Sequence, residues 1–252
     1  MHEALRSIAW ERPWFAPYRE LGEAAQQATA AGASLVPVLN ALRCAAAPQF
    51  VPAHEQGTEA YETFIAHTGQ VPTRDNLHDF FNALVWLRFP ALKRRLNDLH
   101  AAEIFRHGVA DRRGAVRDAL TLFDENGALL CAPPALTEPL RRREWSELFV
   151  AGRGLWSEAQ LVVVGHALLE KLVQPRKAST AHVWFAPQSW GTGADDAVPD
   201  VDPCSPADAP LPVLGVPHWW PANQAPEFYA DPAVFRPAEN LRSTNSARRC
   251  RS

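Results

Sequence analysis

His78, Asp79 and Asn82, with Asp75 one turn earlier, are the residues of this chain whose types and spacing could most readily do chemistry. At 100° per residue they fall along one side of a stretch in which Leu77, Phe80, Phe81, Leu84, Val85 and Leu87 take the rest. His78 and Asn82 are i, i+4 partners, as are Asp75 and Asp79. A carboxylate beside an imidazole can orient it for proton transfer or for a divalent metal. Short polar side chains on an otherwise apolar helix must meet water in a cleft or partners inside the protein. The competing account is a capping network at the start of a core helix, where the dipole favours Asp without any function.

A second pair, His166 and Glu170, shares a helix face at i, i+4 and could address the same ion. The zinc-protease pattern His-Glu-x-x-His is absent, so an internal His–Glu hydrogen bond is the plainer reading. His100 with Glu103 at i, i+3 is a weaker candidate, because charged helix faces are usually solvated. There is no Gly-x-Ser-x-Gly elbow, no phosphate loop and no Gly-x-Gly-x-x-Gly. Cys44, Cys131, Cys204 and Cys250 form no C-x-x-C pair and read as reduced thiols.

The elements that must position these groups can be sketched. A helix is expected over residues 73–90, with Thr73 or Asp75 as its N-cap, and another over 91–106 that carries Asn97, His100 and Glu103 on one face. Upstream, the Ala-rich run 19–47 should be helical with breaks near Gly32 and Pro37, and a short helix from Thr58 should stop at Gly69. Residues 119–131, with Asn126-Gly127 at their centre, read as a β-hairpin. Helices are expected over 136–149 and 158–173, and a strand over 180–185.

The chain has 252 residues, 47% hydrophobic and 21% charged, with a net charge of −3. This is an ordinary globular composition with no pull toward nucleic acid. The short basic runs Lys93-Arg94-Arg95 and Arg141-Arg142-Arg143 read as solvated helix faces. No apolar run approaches a membrane span or a signal peptide, so a cytoplasmic location is expected.

The blocks 71–79, 81–86, 120–127 and 165–171, with closing blocks at 211–217 and 228–237, resemble a bacterial family of unknown function, number 3025 in the domain-of-unknown-function series. The resemblance spans roughly residues 10 to 240 and implies a bacterial, cytoplasmic, single-domain protein; it supplies no activity.

The expected architecture is α+β: a mostly helical single domain over residues 1–241, with a small antiparallel sheet and an irregular aromatic C-terminal tail. Within it, 186–210 reads as a flexible loop, and 242–252 as a disordered end. Two functions remain open. In one, His78, Asp79, His166 and Glu170 are catalytic, with Asp75, Asn82 and His100 binding a small molecule. A divalent metal on His78, His166 and Glu170 is a possible cofactor there. In the other, these groups are internal hydrogen-bond partners of an interaction or scaffold module.

Overall fold

Nine tryptophans and twelve phenylalanines are a large aromatic load for a chain of this length, and hiding those rings dictates how its helices pack. The computed structural model describes residues 1–107, 114–186 and 209–238. The loop expected over 186–210 and the end expected over 242–252 fall almost wholly outside them.

The N-terminal part runs α1 (His2–Arg6), α2 (Arg19–Ala30) and α3 (Leu35–Ala41), then β1 (Gln49–Pro52), α4 (Tyr61–Thr68) and β2 (Gln70–Thr73). The helix break at Gly32 is as expected, and Gly69 stops α4 in the left-handed conformation. Pro37, expected as a break, instead lies within the first turn of α3, where its missing N–H costs nothing. The parallel pair β1–β2 was not foreseen, because its four-residue strands are too short to show a period.

The aromatic segment before α2, Pro13–Tyr18, is a 3₁₀ helix. It lays Phe15 flat on Phe81, ring centroids 5.6 Å apart, and sends the Tyr18 hydroxyl to the Val163 carbonyl at 2.7 Å. Phe81 belongs to α5 (Leu77–Arg88), which is buried from Asp79 to Leu87. Its N-cap is Asn76, not Thr73 or Asp75: the Asn76 side chain accepts from the Asp79 N–H at 2.7 Å. α6 (Pro90–His107) follows at once.

The hairpin expected over 119–131 is not formed. Residues Ala115–Asn126 make helix α7, and only Gly127–Cys131 is a strand, β3. Leu120 and Phe123, three apart, give the segment one buried helical face, and Gly127 at φ −76° has no positive-φ hairpin turn to make. The helix expected over 136–149 is α8 (Pro134–Arg142), ended by Arg143 at φ 55°. The helix expected over 158–173 is instead strand β4 (Gln160–Val163) followed by α9 (His166–Lys171). β5 (Thr180–Phe185) is where the alternation placed it, and β6 (Ala209–Pro212) closes the sheet.

The fold is therefore mostly helical α+β. Its four-stranded sheet, in the order β4-β3-β5-β6, is mixed rather than purely antiparallel: β3 and β5 run parallel, the other pairs antiparallel. α7 packs on it through Phe123, stacked on Trp184. The aromatic tail does lie along the body, where Tyr229 and Phe235 pack on Phe149, and Trp145 Nε1 donates to the Arg236 carbonyl at 2.9 Å.

Two strand ends meet where the backbone is tight. Gly165 N donates to the Gly127 carbonyl at 2.8 Å, and a Cβ on Gly165 would lie 2.4 Å from Gly127 N and 2.5 Å from Asn126 Cα. That contact is backbone, so no flexible side chain can yield. Gly165→Ala is expected to destabilise the fold by about 2–3 kcal/mol, read as a lower urea midpoint with an unchanged m-value.

Candidate functional site

α5, α6, α7 and the start of α9 surround a cavity of about 510 Å³. Each supplies polar groups because its remaining faces are committed to the core. α5 turns His78, Asp79 and Asn82 toward the cavity, and α6 turns Lys93, Asn97 and His100 at i, i+4, i+7. α7 contributes Asp124 and Glu125, α9 His166, and α4 Tyr61 and Glu62.

The two histidines expected to cooperate do meet. His78 Nε2 and His166 Nε2 are 3.1 Å apart, with ring centroids at 4.5 Å and planes at 74°. Each is anchored from behind. His166 Nδ1 lies 2.7 Å from the Asp124 carbonyl, which can only accept, so Nδ1 carries the proton and Nε2 a lone pair. His78 Nδ1 lies 3.3 Å from Glu170 Oε2, and both side chains are 39% exposed. Glu170 thus supports His78 from outside the cavity and does not line it.

The other candidates divide. Asn82 and His100 line the cavity. Asp75 is exposed, precedes the helix and is not in the lining. Asp79 is spoken for: Arg74 holds its carboxylate through Nε at 3.0 Å and Nη2 at 3.2 Å, and the Arg74 N–H adds a third bond at 2.7 Å. It positions the chain ahead of α5 and is no free base.

Sequence reasoning missed Tyr61, Arg74, Trp86, Lys93 and Asp124. Lys93 was read as part of a solvated basic run, yet it is only 4% exposed, pairs with Asp124 and sits over the Trp86 ring. Its spacing to Asn97 and His100 was the available signal.

Burial sets the electrostatics. It pushes His166 down to about 4, with Lys93 and His78 adding to the effect and Asp124 opposing it. Burial likewise lowers His100, against Glu62 and Asp124. The Asp124 carboxyl is pushed up by burial but ends below its usual range because Lys93 and His166 favour its charge. Both cavity histidines on α6 and α9 are therefore neutral near pH 7. The lining holds two cationic side chains, Arg74 and Lys93, against the four carboxylates of Glu62, Asp79, Asp124 and Glu125.

Several polar atoms here lack a partner. Asn82 Nδ2 donates to the Tyr61 hydroxyl at 2.7 Å, which leaves Asn82 Oδ1 buried and unmatched. The Trp86 indole N–H approaches Tyr61 without hydrogen-bond geometry, and His100 Nδ1 stands 4.0 Å from Glu62. Among the described residues, three of the five such buried side-chain atoms belong to residues that line this cavity. Each costs about 1–3 kcal/mol while it stays unmatched.

A family model described as a protein of unknown function, DUF3025, matches residues 48–239, and the chain belongs to that family. No curated protein and no solved structure matches it. Among the described residues, no helix is long and apolar enough to cross a membrane, and no group of three or more His, Cys, Asp or Glu is arranged around one ion.

The burial of His166 has a consequence for stability. Above pH 6.5 its imidazole is neutral whether the chain is folded or not. As the pH falls from 6.5 toward 4, the unfolded chain takes up a proton that the folded one refuses, so stability declines. The expected loss is at most on the order of 3 kcal/mol, and His166→Gln should flatten that part of the acid slope in urea titrations at pH 7 and pH 4.5.

Proposed function

We propose that the cavity binds a small polar ligand and that the facing Nε2 atoms of His78 and His166 are its reaction centre, in hydrolytic or proton-transfer chemistry. The observation that carries this reading is the His78–His166 contact at 3.1 Å on the wall of a cavity whose lining residues include three with an unmatched buried polar atom. Two imidazole nitrogens at that distance need one positive centre between them, either a proton or a metal ion. The His166 Nε2 lone pair faces this centre, where it can take a share of a proton from a hydroxyl or water or ligate a cation, although burial keeps it a weak base.

Asn82, Trp86 and His100 then orient the ligand, Asp124 and Glu170 fix the two rings, and the Arg74–Asp79 pair holds the entry to α5. The family resemblance supports a bacterial, cytoplasmic setting. The interaction-module alternative has no comparable support, since a merely structural network would close its own hydrogen bonds.

The test is turnover of a panel of small ester, amide and phosphoester substrates by the wild-type chain and by His166→Gln. Removing this nitrogen from the reaction centre is expected to reduce turnover by about 10²–10⁴-fold, while Asn82→Leu mainly raises KM. Equal turnover by wild type and His166→Gln would contradict the reading.

A further inference from the structure

Resting on that reading of the pocket, we propose that His78 and His166 together hold one divalent transition-metal ion through their Nε2 atoms, with Glu170 and the Asp124 carbonyl as outer partners rather than ligands. The argument begins with protons. The Asp124 carbonyl, 2.7 Å from His166 Nδ1, demands an N–H there and leaves His166 Nε2 bare. An ionised Glu170, 3.3 Å from His78 Nδ1, asks the same of that nitrogen and leaves His78 Nε2 bare as well. Two bare nitrogens 3.1 Å apart repel each other. A cation bound by both turns that repulsion into two bonds while keeping both outer hydrogen bonds.

The separation suits this. With metal–nitrogen bonds of about 2.0–2.1 Å, two ligands lie about 3.3 Å apart at a tetrahedral angle and about 2.9 Å apart at a right angle. The observed 3.1 Å falls between these limits. The ring centroids, 4.5 Å apart with planes at 74°, show that the nitrogens are not aimed head-on. Imidazole backed by a carboxylate or a main-chain carbonyl is the usual arrangement of a metal-binding histidine. The surplus of carboxylates over cations in the lining favours an incoming cation.

An imidazole pair selects zinc, cobalt, nickel, iron or copper over magnesium and calcium. With two protein ligands such an ion would keep open positions, and it would supply Lewis-acid polarisation to a bound carbonyl or phosphoryl oxygen. Glu170, expected from its i, i+4 spacing to be a ligand, is thereby reassigned as the group that orients His78.

The test strips the full chain with a chelator, then titrates it with Zn²⁺ by calorimetry and with Co²⁺ by visible absorption. One ion per chain is expected, bound at least tenfold more weakly by His78→Gln and by His166→Gln. Glu170→Gln should keep that stoichiometry but lose about 10–100-fold in affinity. Wild-type binding no tighter than that of the double variant His78→Gln/His166→Gln overturns the proposal. Thermal melts check folding; His78 is half-exposed, so His78→Gln decides the matter alone if His166→Gln does not fold. Turnover that survives the chelator but is lost in His166→Gln also overturns the metal, and leaves the pocket reading standing.

Discussion

The close approach of Gly165 to Asn126 and Gly127 is the constraint on which the rest of the site depends. The Val164 and Gly165 N–H groups both donate to the Gly127 carbonyl, at 3.0 and 2.8 Å, so the end of α7 and the start of α9 are fixed by main chain alone. With that joint closed, His166 has one place to go: its Nδ1 meets the Asp124 carbonyl just upstream of the joint, and its Nε2 turns outward to His78. Any side chain at position 165 would push the two strands apart and take the second histidine with them.

Around that joint the protein accepts buried charge only in pairs. Lys93 is neutralised by Asp124, and the buried Asp79 carboxylate by Arg74. Desolvating an ion pair gains little stability over an apolar replacement, whereas breaking one partner leaves an uncompensated buried charge. These pairs therefore serve position rather than stability: one holds α6 to α7 beside the His166 anchor, the other pins the backbone ahead of α5. What they leave unpaired is the neutral imidazole edge and a few amide and indole atoms of cavity-lining residues.

The parts that were legible in the sequence are those governed by local chemistry. The rod of α5, the stop at Gly69 and the alternation of β5 follow from periodicity and backbone preference. The polar stripe of α5 was readable for the same reason, and three of its four members, His78, Asp79 and Asn82, do reach the cavity wall. Asp75 does not, because the helix begins at Leu77 and the stripe loses its geometry before it. The segment 115–131 misled because Asn-Gly is a strong turn signal, while the Leu120–Phe123 face that decides for a helix is only two residues long. Lys93 and Asp124 were hidden differently. Each looks like an ordinary surface charge until a partner 31 residues away makes burial possible; the spacing of Lys93 to Asn97 and His100 is a local hint, but nothing local marks Asp124.

The central claim is that both histidines present their lone pairs to each other because their other nitrogens are tied. Nitrogen-15 NMR of the imidazole rings tests it most directly. On chelator-treated protein at pH 7, the account predicts a neutral His166 with its proton on Nδ1, shifting only at Nε2 when Zn²⁺ is added. A His166 ring protonated on Nε2 at pH 7, or one whose nitrogens respond to neither Zn²⁺ nor acid down to pH 4, would contradict it.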